Sequence, residues 1–429
     1  MKLIAGAVVA LGLAGCQGDK SSDVKPDPST QSQAKASAAQ ETSKKGAAQA
    51  DTAKTGTAKT GTAKDTAKTT QATSPTTPIA AQKPVTASSG STAGGAWPPC
   101  DRVFVAQLTE GIDHVLGAQG SRLWARTPGK SGQGEPLWAV DGQGVVQKVV
   151  VGDFGQGRKL YVARGIGRGH LGAPITLEAL DPATGKGEII WRHAGPRNEV
   201  AHLSIADVDR DGKPELAVTY YESKYMVTTH HIEADGTAKA AETPIRMASS
   251  WAFGDIDGDG TTDRAIGRVY GDAKGEPGDL KIDLGKGLQK VPTDKGVRSV
   301  VVAQLFGDAH PYLYFADGWV ANYGKEAKAQ LKRAWVEKGE IKVEAVTRSP
   351  EEFTFFEIDD IELAGNKRVL FARGNKAVSA VSPGSEGFGR VQLATLQPVL
   401  NAALGQDAQG QWQVYVPNAQ GLRVIPAKL

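Results

Sequence analysis

The sequence predicts an all-β chain, a seven-bladed β-propeller preceded by a disordered N-terminal tether. Three observations carry this reading. An acidic, glycine-centred loop occurs twice between apolar segments too short to be helices; the frame around it recurs about every 50 residues; and the chain before Trp97 has a composition that cannot build a core.

Taken in order, residues 1–16 carry one basic residue, Lys2, an apolar stretch from Leu3 to Leu13, and then Leu13-Ala-Gly-Cys16. The stretch has the length of a signal-peptide core rather than of a membrane-spanning helix. Residues 17–96 contain no aromatic side chain and are rich in Ala, Lys, Thr, Ser, Gln and Pro, with Thr55-Gly-Thr-Ala-Lys59 repeated at once as Thr60-Gly-Thr-Ala-Lys64. Burial there cannot offset chain entropy, so the segment is expected to be a disordered linker, its ends on the order of 50 Å apart as a coil. Its lysine excess reads as a solvated surface.

Residues 97–429 form the propeller in this reading. The residue opening each loop is placed at Gln107, Asp153, Asp207, Asp255, Gln304, Glu357 and Ala403. Apolar strands precede these positions (Val149-Val-Val151, Val300-Val-Val302) and follow them (Leu160-Tyr-Val-Ala163, Tyr312-Leu-Tyr-Phe315, Val414-Tyr-Val416). A unit of about 50 residues accommodates four short strands, which is one propeller blade. Little chain remains after Val416, so ring closure is expected to borrow a strand from the region Trp97 to Val105.

The third and fourth loops carry the chemistry. Asp207, Asp209, Asp211 and Glu215, and again Asp255, Asp257, Asp259 and Asp263, occupy positions 1, 3, 5 and 9. Gly212 and Gly260 at position 6 supply the positive-φ turn, and Lys213 and Thr261 at position 7 complete the expected ligand sets. Carboxylates at this spacing wrap a hard cation in oxygen, and Ca²⁺ is the expected ion. The flanking strands exclude an EF-hand, which needs helices. The other five loops depart from the pattern: Gln107, Thr109 and Gly111 in the first, Gly155 and Gly157 after Asp153, Asp308 alone in the fifth, Glu357 and Asp359 with Ile361 in the sixth, Asp407 alone in the seventh. They are expected to bind no metal.

These two loops with their flanking strands resemble FG-GAP or VCBS-type repeats, the calcium-loop propeller repeats also found in integrin α-chain heads. The resemblance implies that each loop joins the innermost strand of a blade to the second, with the metals on one rim. Leu13-Ala-Gly-Cys16 resembles the bacterial lipobox, which implies acylation of Cys16 and a stable envelope anchor. Gln17 rather than Asp after the cysteine favours the outer membrane by the sorting rule of enteric bacteria. Ala179-Leu-Asp-Pro-Ala-Thr-Gly-Lys186 followed by Trp191 is similar to the repeat of pyrroloquinoline-quinone propellers, in which the Trp docks neighbouring blades. That family includes quinoprotein dehydrogenases and a lipoprotein accessory of outer-membrane barrel assembly.

Charge and motifs narrow the function. The chain carries +3, and discounting Lys2 and the tether's lysine surplus leaves about −2 on the ring, so there is no basic footprint for nucleic acid. With Cys16 lipidated, Cys100 has no intramolecular partner and a disulfide-stapled fold is excluded. Gly129-Lys130-Ser131 lacks the leading Gly of a phosphate loop, Trp124 standing in its place. There is no nucleophile elbow, and His230 and His231 on a strand point to opposite faces, which argues against joint metal ligation. Two features read as recognition surface. The segment Arg164-Gly-Ile-Gly-Arg168-Gly-His170 should project from the rim opposite the metal loops and offer guanidinium and amide donors to an anion; Tyr220, Tyr221, Tyr225 and Trp319 read as blade packing or as a sugar or protein platform. The sequence therefore predicts a lipid-anchored, calcium-stabilised, non-catalytic propeller that binds an envelope or extracellular protein or glycan. The alternatives are a barrel-assembly scaffold or a propeller lyase or phospholipase.

Overall fold

The computed structural model describes residues 96–429 apart from 130–132, 166–173, 196, 224, 242–243, 273–275, 292, 295, 306–307, 319–329, 347–354, 364–366, 375–376, 385–386, 396–400 and 419. Residues 1–95, with Cys16 and the segments expected to be leader and tether, lie outside the described residues, as do Arg168, His170 and Trp319.

Among the described residues all long-range regular structure is β-strand, in seven antiparallel sheets, each built from strands consecutive in the chain. They span 102–141, 145–193, 200–246, 248–291, 297–345, 355–395 and 403–426, and are blades one to seven of a β-propeller. Alternating apolar residues drive each strand. In the second strand of blade three (Glu215–Tyr221), Leu216, Val218 and Tyr220 pack towards blade two, while Ala217 and Thr219 face the other way. First strands of successive blades lie against one another and are therefore the innermost.

The core is not one centre but seven apolar layers, one in each interface between neighbouring blades. Between blades three and four, Trp251 and Ile266 pack on Ala201, Val227 and Ile245. Truncating a side chain as buried as Trp251 costs about 3–5 kcal/mol in such settings. Gly117 lies beneath the Trp124 ring, where a Cβ would stand 1.9 Å from Cζ2, so no larger residue fits without displacing the indole.

Closure differs from the expected borrowed strand. Among the described residues blade seven has three strands, Ala403–Gln406, Trp412–Asn418 and Gly421–Pro426, and Arg102–Thr109 is instead the innermost strand of blade one. The ring is shut by side chains: Trp97 meets Trp124 at 5.9 Å and Tyr415 at 5.8 Å between ring centroids, Asn401 donates to Asp101 O at 3.0 Å, and Gln406 N donates to Asp113 Oδ2 at 2.7 Å. Cys100 is buried in that layer, and burial pushes its thiol up to about 12.

Three of the seven loop positions are also displaced. Gln107, Glu357 and Ala403 lie inside first strands (Arg102–Thr109, Phe355–Leu363, Ala403–Gln406), so the turns of blades one, six and seven come later in the chain. Asp153, Asp207, Asp255 and Gln304 do open their loops.

Candidate metal centre and recognition surface

Both acidic loops join the first strand of a blade to its second. In blade three the loop runs between Val200–Ala206 and Glu215–Tyr221; in blade four it runs between Ala248–Gly254 and Asp263–Arg268. Strand order repeats from blade to blade, so the two loops emerge on the same rim. Gly212 and Gly260 have φ of 86° and 87°, as position 6 requires. Position 4 is also left-handed, with Gly258 at 79° and Arg210 at 63°.

In blade three the carboxylates of Asp207, Asp209, Asp211 and Glu215 converge, with ligand oxygens all within 4.8 Å of one another. The loop is held by its own turns: Gly212 N donates to Asp207 Oδ2 at 3.1 Å, Asp211 N to Asp209 Oδ1 at 3.2 Å, and Val208 N to Glu215 Oε2 at 2.6 Å. Those bonds leave Asp207 Oδ1 and Glu215 Oε1 buried without a hydrogen-bond partner. Burial, then the charges of Asp209 and Asp207, push the Glu215 carboxyl up to about 7. Unpaired buried oxygens beside like charges are the arrangement that a hard divalent cation neutralises, so the donor set fits such an ion. Lys213 pairs its Nζ with Asp211 Oδ2 at 3.2 Å on the exposed side.

Blade four gathers less. Asp255, Asp257 and Asp263 converge, whereas Asp259 accepts from Thr261 N at 2.8 Å and Thr261 Oγ1 at 2.6 Å. Asp263 is buried and its carboxyl is pushed up to about 6, chiefly by burial. Arg210 crosses from the blade-three loop, donating to Thr262 O at 2.7 Å and Asp283 O at 2.9 Å and standing 3.7 Å from Asp263 Oδ1. The two loops are thus stapled together, and one ligand carboxylate of the second already has a cation beside it.

In the fifth blade the chemistry of the loop is replaced. Asp308 accepts from Leu305 N at 2.9 Å and Tyr314 Oη at 2.5 Å, and its other oxygen pairs with Arg333 Nη1 at 3.2 Å, so a guanidinium stands where a metal loop would need an ion. Asp407 in blade seven caps its own turn through Gln409 N and Gln411 N, both at 2.9 Å.

The expected recognition surface is corrected at its first residue. Arg164 does not project: it is fully buried, its Nε donates to Glu178 Oε2 at 2.8 Å, and its Nη1 reaches Ser121 O on blade one. A Cβ on Gly142 would stand 2.3 Å from its Cζ, so the side chain lies against bare backbone. Arg164 is an inter-blade clamp. Arg373, at the same place in blade six, is equally buried, pairs with Asp359 Oδ2 at 2.7 Å and donates to Ala402 O at 3.2 Å. Tyr220 is packing, with its hydroxyl 3.2 Å from His230 Nδ1; Tyr225 is exposed, with Arg246 over its ring. His230 and His231 do point to opposite faces.

Two features escaped sequence reasoning. Trp138 of blade one donates its Nε1 to Pro182 O at 2.8 Å and lies against Gly185, so the Asp181–Lys186 turn of blade two is docked by a tryptophan from the preceding blade. An open cavity of about 470 Å³ between blades three and four is lined by Arg246, Arg264, Arg268 and Lys281, facing Asp272 and Asp283. Its basic groups come from three separate strands, which no local motif reveals.

Fold and loops define a seven-bladed β-propeller with acidic inter-strand turns. No protein-family model matches the chain, and no curated protein matches it. Among solved structures, it is similar to a gluconolactonase from Xanthomonas campestris (12% identity, TM-score 0.40, covering 79% of this chain and 99% of that one). It is also similar to Sqt1 from Saccharomyces cerevisiae (10% identity, TM-score 0.41, 78% and 96% covered). At these values neither likeness carries an argument about activity.

Proposed function

We propose that this chain is a lipid-anchored propeller, braced by calcium in the loops of blades three and four, that binds a protein or glycan of the bacterial envelope and performs no chemistry itself. The observation that carries the calcium part is the convergence of Asp207, Asp209, Asp211 and Glu215 with two buried oxygens left unpartnered. The ion belongs to the architecture, because each loop ties the innermost strand of its blade to the next and Arg210 links the two turns. The anchor rests on Leu13-Ala-Gly-Cys16 and the outer-membrane assignment on Gln17. Binding falls to the broad rims, with Arg168 and His170 the remaining anion-directed residues of the segment read from sequence.

The test is fractionation followed by capture. Wild-type protein should partition with membranes and Cys16→Ala should not; crosslinking in intact cells should then recover an envelope protein or glycan that Arg168→Ala/His170→Ala recovers less well. An anchor variant that fractionates like wild type sinks the lipidation, and turnover of a glycan or phospholipid by the purified ring sinks the non-catalytic reading. A barrel-assembly scaffold is the second reading, favoured by the Trp138 joint on the Asp181–Lys186 turn; it requires that the captured partner be a component of the barrel-inserting machinery.

A further inference from the structure

The geometry points to a further cation site beside the two acidic loops, for a divalent transition-series ion of the zinc class, formed by Asp209, His231 and Glu233 and sharing Asp209 with the acidic loop of blade three. One ligand atom from each residue lies within 4.8 Å of the other two. A zinc-class ion with bonds of about 2.0–2.2 Å sets its ligands no more than about 4.4 Å apart, so a small closure of the cluster completes the site.

Strand register builds it. The third strand of blade three, Met226–Ile232, pairs with the second so that Leu216 opposes Ile232 and Ala217 opposes His231. Side chains two apart share a face, so His231 and Glu233 project together on the side of Glu215, and the loop brings Asp209 over them. His230 projects to the other side, where it meets Tyr220.

The independent sign of a ligand is His231 itself. It is 5% exposed, and neither ring nitrogen has a hydrogen-bond partner. A buried imidazole ordinarily satisfies at least one nitrogen, and this one is aimed between two carboxylates. The donor set then chooses the ion. Calcium is held by oxygen alone, whereas one imidazole nitrogen with two carboxylate oxygens suits zinc and its neighbours.

The groups facing the site include one opponent. Lys239, opposite His231 on the fourth strand, donates from Nζ to Glu233 Oε1 at 2.7 Å. Its side chain is 54% exposed and free to swing into solvent, and Glu233 keeps its second oxygen for the metal. Asp211 and Glu215 add negative charge nearby.

The experiment uses the full chain stripped of metal and held in millimolar CaCl₂, titrated calorimetrically with ZnCl₂, with Co²⁺ absorption as a spectroscopic reporter. One Zn²⁺ per chain is expected. His231→Gln should weaken zinc at least tenfold and abolish the Co²⁺ band while leaving calcium affinity and near-UV dichroism unchanged; Lys239→Gln should tighten zinc several-fold. Asp209→Asn should weaken both metals. Zinc affinity unchanged in His231→Gln, or no zinc bound by wild type at 100 times the protein concentration, overturns the site. Should His231→Gln fail to fold, X-ray absorption of the cobalt-loaded wild type decides, a first shell without imidazole nitrogen counting against it. Failure of calcium binding in wild type is a separate result that sinks the calcium brace and leaves the zinc titration readable.

Discussion

Removing calcium should lower the melting temperature by an amount that the loops themselves set. The two clusters in blades three and four are expected to bind in the range of about 10⁻⁴ to 10⁻³ M. At 10 mM CaCl₂ each contributes about 1.4 to 2.7 kcal/mol by mass action, hence about 3 to 5 kcal/mol together. For a domain of this size that is a shift of about 4 to 7 °C between calcium and chelator. Asp209→Ala and Asp257→Ala should each leave about half the shift and reduce the calorimetric stoichiometry from two ions to one. The effect has a pH sign. Glu215 is pushed up to about 7 and Asp263 to about 6, so without metal their burial is tolerated at low pH and becomes destabilising as pH rises through those values. Bound calcium compensates the charge, so the calcium-dependent shift should grow from pH 5 to pH 8. Scanning calorimetry in calcium and in EGTA across that range measures it. A melting temperature indifferent to both calcium and chelator at pH 8 would refute the brace.

Arg164→Met should destabilise the ring by about 3–5 kcal/mol because it leaves Glu178 buried and uncompensated, and Arg164→Met/Glu178→Leu should recover most of the loss in urea titrations; equal losses in both would deny the pairing. His202 is buried beside Ser204 and held down to about 3, so it stays neutral in the fold while the unfolded chain protonates near 6.5. Stability should therefore fall by about 1.4 kcal/mol between pH 7.5 and 5.5 on its account, and His202→Gln should remove that part of the slope. Arg210→Met should strengthen calcium binding in blade four several-fold, read in the Asp209→Ala background where that site stands alone; weaker binding would mean that the inter-loop staple matters more than the charge beside Asp263.

What the sequence disclosed was whatever is local. The loops at Asp207 and Asp255 were legible because a nine-residue pattern needs no tertiary partner, and glycine at position 6 does take the left-handed turn. The blade period was legible because each apolar strand buries against the same kind of neighbour in all seven interfaces. Register within a blade was not. In blades one, six and seven the first strand runs past the expected loop position, to Thr109, Leu363 and Gln406, and none of the three has glycine at position 6, where Ile112, Glu362 and Ala408 stand.

Arg164 shows what a fuller use of repetition yields. Read with the residues that follow it, it is the start of a glycine-rich loop. Read by its phase in the repeat, Ala163-Arg164-Gly165 in blade two matches Ala372-Arg373-Gly374 in blade six, both closing the second strand, and both arginines are buried, each paired with an acid of its own blade and donating to a backbone carbonyl outside it. A residue that recurs at one phase of a repeat is answering a need of the architecture, and a blade-to-blade joint is such a need. Among the described residues the grouping of Asp209, His231 and Glu233 recurs in no other blade: blade four repeats Asp209 as Asp257 but brings no histidine to it. The three meet because one hairpin folds in one register beneath one loop, and a grouping peculiar to a single blade is where this ring can differ from a generic propeller.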